Sequence, residues 1–384
     1  MPPVVKRGSI STITDTTNIK IDISEVIDQL SPYDTPIMSV VGKDSLKSPC
    51  EQILHEWLED ELRPRSGTLG AAYTVGSGTL VLAAGEGKYI YPDDLLLVGN
   101  MVFQVNSGPP SSDTCTVTLI RGTDAAAANA ATWRKLAQAS PEGGEARADA
   151  SKTVLAKPYN YVQIIKDWSM VTGTMEVIKR YGYASERAYQ EEKILKQLMI
   201  DWEMTLIYGV RSYAAGPPRK STAGGLFEYI YLPGVTNNWD TVVNANAGQI
   251  TETMLNNVLQ QIWEQGGSPD TIYVNGWNKR LITGWATPRI RTAQDERIAG
   301  ASINTYESDF GTLAIRLNRW LRPADVLILT MDEIGVGPLT GRQMTSRQLP
   351  VTGDYTRYEI LGEYTMEVHK PQHCHGWLYN TSTS

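Results

Sequence analysis

The stretch TMEVIKRYGYASERAYQEEKILKQLMIDWEMTLIY, residues 174 to 208, decides how the rest of the chain is read. Apolar side chains recur at Met175, Ile178, Tyr181, Ala184, Ala188, Leu195, Leu198, Trp202 and Leu206, in steps that keep them on one face of a helix. Glu192 interrupts the stripe. Thr172 and Gly173 mark the entry, Glu176 sits near the positive end of the helix dipole, and Gly209 offers a left-handed stop. The pattern predicts a helix about 50 Å long, far above the usual 11 or 12 residues, bent or interrupted at Gly182. Glu176 with Arg180, and Glu192 with Lys196, stand four apart in the favourable order, about 0.3 to 0.5 kcal/mol each. Burying each large side chain of the stripe is worth about 1.5 kcal/mol or more, so packing decides whether the helix holds.

Around this element, 384 residues with 41% hydrophobic and 20% charged side chains form a folded chain with room for about two or three domains or subdomains. A net charge of −7 disfavours an electrostatic grip on nucleic acid or an acidic membrane. Cys50, Cys115 and Cys374 are scattered and odd in number, which gives no disulfide framework and suits a reducing compartment. The opening MPPVVKRGSISTITDTTN lacks a signal-peptide core, and no apolar run approaches the ~20 residues of a membrane span. A soluble intracellular product is expected.

Upstream of the helix, residues 1–50 read as an extended arm, polar and Thr/Ser-rich, with SPYDTP forbidding a continuing helix. Its Ile19, Ile21, Ile23 and Ile27 cannot be buried against the arm itself, so they are expected to lie on the protein or on a neighbour. Glu51–Arg65 follows, acidic at Glu56, Glu59, Asp60 and Glu61 and interleaved with Trp57, Leu58 and Leu62. A second limb, Lys152–Lys166, alternates Tyr159, Tyr161, Gln163 and Ile165 with Asn160, Val162 and Ile164, a strand signature. Its Lys152, Lys157 and Lys166 would face the acidic limb in a long antiparallel hairpin, at about 0.2 to 1 kcal/mol per cross-strand pair.

Between the limbs, residues 79–122 show short apolar runs parted by GEG, PDD, GN and GPPSSD, the spacing of a small antiparallel sandwich or barrel. Lys88 and Arg121 stand against Glu86, Asp93, Asp94 and Asp113, so the insert reads as a surface module and not a single-strand nucleic-acid binder. Downstream, PPRKSTAGGLFEYI opens a second region. Thr251–Gln265 is an amphipathic helix, TIYVN a buried strand, Trp277–Trp285 a helix and residues 287–307 an exposed loop. FGTLAIRLN, ADVLILTM and YTRYEILGEYTMEVH are strands, which makes the chain α+β.

No catalytic motif survives inspection. Leu82 stands where a phosphate-binding loop needs its first glycine, Val75 precedes Gly76-Ser77-Gly78, and His55-Glu56 has no second histidine at metalloprotease spacing. His369, His373, Cys374 and His375 are potential zinc or copper ligands, with His373 and His375 on one face of a strand. Cys374 would point the other way and no second ligand pair is evident, so packing and hydrogen bonding are the expected roles, with no metal or cofactor. Glu59, Asp60 and Glu61 alternate faces and sit in no apolar pocket, so they read as a charged contact strip, not an acid–base pair.

The order of these parts resembles the major capsid proteins of tailed bacteriophages, with the Hong Kong 97-type fold, in the branch that carries a β-domain in its extended loop. The resemblance rests on KIDISEVIDQLSPYDTPIMSVVGK (Lys20–Lys43), EWLEDELRP (Glu56–Pro64), KILKQLMIDWEMTLIYG (Lys193–Gly209), and YESDFGTLAIRLNRWLRPADVLILTMDEIGV through EYTMEVHKPQHCHGWLYN. It implies an N-terminal arm over residues 1–50 and an extended loop, the E-loop, over 51–158 with an insert at about 67–140. It further implies a P-domain over 159–215 with the spine helix at about 174–208, an A-domain over 216–340, and returning P-domain strands over 341–384.

A non-enzymatic shell component follows from the resemblance. It would assemble as hexamers and pentamers into an icosahedral head around double-stranded DNA, in the host cytoplasm, without sequence-specific DNA binding or membrane association. Scaffold, portal and decoration proteins are the further partners implied; the arm is too short for a fused scaffold, and the crosslink of some relatives is not predicted. Glu56, Glu59, Asp60, Glu61, Arg63, Arg65, Lys152 and Lys157 are the candidate contacts between subunits. A decoration or tail component, or an intracellular enzyme or glycan binder, are the alternatives; the long helix argues against the former.

Overall fold

The computed structural model describes residues 34–42, 45–108, 112–143, 155–178, 185–214, 216, 218, 220–231, 241–245, 248–285 and 305–382. The chain divides into two compact units, Leu58–Lys157 and the remainder, Met1–Trp57 with Pro158–Ser384.

In the larger unit the helix expected over 174–208 is replaced by two shorter ones. Gly173–Val177 forms a single turn, and Ile178 is extended at φ −66°, ψ 129°. Ser185 then starts a separate helix, Glu186–Tyr208, by accepting the Ala188 amide. At 23 residues it is about 35 Å long. A local cap outweighed the continuous periodicity: Val177 and Ile178 are 83% and 54% exposed and so take no part in the stripe. Gly182 and Arg180 lie outside the described residues. Arg187–Glu191 and Lys196–Glu192 pair along the exposed side. Gly209 is not left-handed (φ −55°); it is required because a Cβ there would lie 2.5 Å from the carbonyl oxygens of Ala223 and Thr205.

The helix packs Ile194, Leu198, Trp202 and Leu206 against the strand Tyr355–Val368, whose Ile360, Tyr364, Met366 and Val368 face it. That 14-residue strand is paired on both sides. Gln163–Thr172 runs along one edge, and Ile334–Pro338 and Thr345–Gln348 follow each other along the other. The strand expected over Lys152–Lys166 therefore breaks at Val162. Tyr159–Tyr161 pairs with Leu54–Glu56, and the chain beyond joins the long strand. The facing changes with it: Asn160 and Val162 are buried, but next Ile165, with Ile164 turned outward.

A second sheet has six strands in the order Val242–Asn244, Gly376–Tyr379, Val326–Leu329, Thr271–Val274, Gly311–Leu317, Thr305–Ser308. Period two divides its side chains between two cores. Tyr273, Leu327, Leu329 and Trp377 join the core of the long helix, while Ile272, Val274, Val326, Ile328 and Leu378 pack under the helix Glu252–Glu264. Both faces being covered explains the uninterrupted apolar runs. Residues 286–304, most of the expected loop, lie outside the described residues; Thr305–Ser308 is an edge strand of this sheet. SPYDTP also departs from expectation: Pro36 opens the helix Pro36–Val41, a position where its missing N–H costs nothing. Residues 1–33 of the expected arm lie outside the described residues.

The smaller unit is a six-stranded antiparallel sheet in the order Ser66–Thr68, Thr132–Gln138, Asp94–Val98, Met101–Ser107, Thr114–Arg121, Thr79–Val81. Its two end strands meet through a Leu69–Leu82 bridge, with Gly70 N–H donating to Val81 and Ala83 N–H to Thr68, so the sheet closes into a small barrel. Leu80, Leu96, Phe103, Val105, Cys115 and Trp133 fill it.

Candidate assembly surface

The chain enters the smaller unit at Leu58 and leaves it at Lys157. In the larger unit, the ladder that precedes this passage sets exposed Glu56 opposite Tyr159. Within the smaller unit Glu59 pairs with Ala156 through two backbone hydrogen bonds of 3.0 and 2.9 Å. Asp60, Glu61, Leu62, Arg63 and Arg65 follow, all exposed, and so is Lys157, the residue after Ala156. The Arg63 guanidinium lies 5.9 Å from the centre of the Tyr91 ring. Lys152 lies outside the described residues. Leu62 is 96% exposed and Leu58 62%, which no single folded chain gains by presenting.

What anchors the chain on the larger-unit side was not legible in the sequence. On the long strand, Glu359, Glu363 and Glu367 occupy one face at a spacing of four, and all are buried. Arg347 bonds Glu359 at 2.6 Å and Arg342 bonds Glu363 at 2.6 Å. Glu367 has no arginine; its Oε1 meets His55 Nε2 at 2.5 Å, and its Oε2 meets His369 Nε2 at 3.0 Å and the Lys47 N–H at 3.1 Å. The stretch from Lys47 to His55, more than 300 residues away in sequence, thus meets the end of the long strand at one carboxylate. Hydrogen bonds to Cys50 and then to Glu367 outweigh burial and raise His55 to about 9. Burial pushes Glu367 up, but its bonds from His369, His55 and the Lys47 amide prevail and hold it at about 2.

A second anchor sits within the long helix. Glu203, fully buried, accepts from the Ile37 amide (2.9 Å), the Met38 amide (3.0 Å) and Asn318 Nδ2 (3.0 Å), thereby capping the short helix Pro36–Val41 from outside. Burial pushes its carboxyl above the usual range, against those hydrogen bonds. Asn160 satisfies every polar atom it has: its amide donates to the Gly224 and Met366 carbonyls and its oxygen accepts from the Gly224 and Tyr161 amides. The one available signal was charge in the wrong place, a glutamate on an otherwise apolar helix face.

The histidine and cysteine cluster takes a different form from the strand expected. His373 and Cys374 lie on the short helix Pro371–Cys374, so His373 and His375 share no strand face. His369 bonds Glu367, His373 bonds Gln265 at 2.9 Å, and His375 Nδ1 accepts the Thr330 amide at 3.3 Å. Burial drives His375 down to about 4. Among the described residues no group of three or more His, Cys, Asp or Glu side chains is disposed to hold a metal ion. Nor, among them, is any helix long and apolar enough to cross a membrane. A cleft of about 550 Å³ separates Gln163–Thr172 from the first half of the long helix, lined by Asp167, Ser169, Gln190, Lys193 and Gln197, with no nucleophile–base pair among these.

Comparison with known proteins places this architecture. The capsid of cyanophage A-1(L) matches over 98% of this chain and 100% of that one, at 9% identity and a TM-score of 0.55. Microbacterium phage Oxtober96 matches over 97% and 99%, at 8% identity and 0.53, and the capsid of the native GTA particle over the same shares, at 8% and 0.52. At such identities these likenesses establish the α+β fold alone. No curated protein sequence matches. The model of one family, SU10 major capsid protein, matches residues 10–382, nearly the entire chain, and the chain therefore belongs to the SU10 major capsid protein family and is a structural protein of the phage head.

Proposed function

We propose that copies of this chain assemble as hexamers and pentamers of the Hong Kong 97-type fold into an icosahedral head that encloses the double-stranded DNA of a tailed phage. The observation that carries this reading, beyond the family, is the pair of leucines held out at 62% and 96% exposure beside acidic side chains. Such a segment gains by burial among its own copies. In this reading residues 1–50 are the N-terminal arm, 51–158 the extended loop with its inserted β-domain, and 159–215 with 341–384 the P-domain around its spine helix. Residues 216–340 form the A-domain that meets its copies at capsomer centres.

Glu56, Glu59, Asp60, Glu61, Arg63, Arg65, Lys152 and Lys157 make contacts between subunits, and none of them performs catalysis. A subunit of net charge −7 suits a container, because tight DNA binding would oppose packaging and release. Scaffold, portal and decoration proteins are the other partners, assembly takes place in the host cytoplasm, and the finished protein resides in the virion. Electron microscopy of the purified protein tests the reading directly, with closed shells as the expected result. Joint reversal of Glu59, Asp60 and Glu61 to lysine abolishes those shells while leaving the circular dichroism of the subunit unchanged; normal shells from that variant would refute the contact role.

A further inference from the structure

At the rim of the smaller unit's barrel, strand register sets two cations against each other. Ser66 stands opposite Arg134, and the Lys135 amide donates to the Arg65 carbonyl at 2.7 Å, so Arg65 lies directly across from Lys135. Like charges in that position repel. The lysine has its counter-charge: Asp94, fully buried, accepts the Lys135 ammonium and, at 2.9 Å, the Tyr91 amide. That carboxylate is taken up by the lysine and the turn before it. Where residues 62–65 run beside residues 135–138, a cavity of about 310 Å³ opens, with Asp94 in its lining. Arg63 and Arg65 both line it, two apart on a non-helical stretch, with the Arg63 guanidinium 5.9 Å from the centre of the Tyr91 ring. Pro64, Leu136 and Ala137 supply apolar walls, which concentrate the field of the charges between them.

The lining holds three cations, Arg63, Arg65 and Lys135, and one carboxylate, Asp94, so two positive charges are left to face the cavity. A guanidinium presents a planar fork of donors that matches carboxylate and phosphate oxygens. A carboxylate, or one phosphodiester of a nucleic-acid backbone, brings a single negative charge. A terminal phosphate group brings about −1.5 to −2 at pH 7, with three acceptor oxygens, and so answers both arginines at once. We propose that this cavity binds a terminal phosphate group, as free inorganic phosphate or as a small phosphomonoester. The proposal goes beyond the shell reading and stands without it, because every lining residue belongs to the smaller unit of one chain.

Calorimetric titration of the full-length chain with inorganic phosphate and with adenosine 5′-monophosphate, at an ionic strength held constant with chloride, tests it. One phosphate group per chain is expected, with a Kd of about 0.1 to 1 mM. Arg63→Ala and Arg65→Ala should each weaken binding about tenfold, and Arg65→Lys, which keeps the charge and loses the fork, about threefold. Lys88→Ala should change nothing, since Lys88 lies over the Tyr89 ring and does not line the cavity. Should Arg65→Ala fail to fold, Arg63→Ala and Arg65→Lys still read the site. Whichever of the two probes binds more tightly identifies the source of the phosphate, and either result supports the proposal. No saturable binding of either probe, or equal weakening by Lys88→Ala and the arginine variants, would overturn it. So would binding of a duplex DNA oligonucleotide through Arg63 and Arg65 with none of either probe. The titration needs no shells, so its failure leaves the functional reading untouched.

Discussion

The smaller unit closes its barrel with partners close in the chain, while the larger unit is held by side chains that meet across most of its length. Phe103 and Trp133 are buried within a hundred-residue span, whereas Lys47 reaches Glu367 across 320 positions and Ile37 reaches Glu203 across 166. One region is filled by apolar side chains, and its buried charge, Asp94, is met by Lys135 and the Tyr91 amide, both within about forty residues. In the other, the buried carboxylates Glu203 and Glu367 fasten Ile37, Met38, Lys47 and His55 to the long helix and the long strand. The difference teaches that burial of charge here serves placement: removing one partner costs far more than the pair contributes.

The comparison breaks hardest at Glu367. Glu367→Ala leaves buried His55 and His369, and the part-buried Lys47 amide, without this acceptor, and should destabilise the larger unit by about 3 to 5 kcal/mol in a urea titration. Phe103→Ala should cost a similar ~3 to 5 kcal/mol, but only in the transition of the smaller unit. A single shared transition shifted by both changes would show that the two regions are not independent. Glu203→Ala comes next, at about 2 to 4 kcal/mol. Hydrogen exchange should report it as lost protection at Ile37 and Met38, with the strand Tyr355–Val368 unaffected.

Proton linkage sharpens the contrast with smaller effects. His55, raised to about 9, contributes stability that is complete below pH 6.5 and lost as pH climbs through 9. His375, lowered to about 4 by burial, contributes stability present above pH 6.5 and lost as pH falls through 4. The larger unit should therefore be most stable near pH 6.5. In the smaller unit burial raises Cys115 to about 11, so its loss begins only above pH 9. Thermal melts across pH 4 to 10, followed by a probe in each unit, check this; the two profiles should diverge between pH 6.5 and 9. The smallest effect is Ser185→Ala, about 1 kcal/mol, which should fray the first turn of the long helix without moving Trp202.

Periodicity located the long helix, the amphipathic helix after Thr251 and the short strands of the insert, because each carries its pattern within a dozen residues. It overran at Ile178, where the stripe continued on paper but a serine cap started the helix afresh. It also ran through Val162, where a strand changed partners without a change in composition. The acidic strip was visible as sequence; the pairing of Lys166 and Arg347 with Glu359 was not, since these side chains come together only through strand register.

By itself the sequence determined the element types, the α+β class and the family, all of which follow from local propensity, side-chain alternation and the order of segments. Only the tertiary structure decided that Glu203 and Glu367 are anchors and not surface charges. A carboxylate carries no local sign of whether it will face water or buried N–H groups supplied from hundreds of residues away, and that outcome is fixed when the distant segments pack.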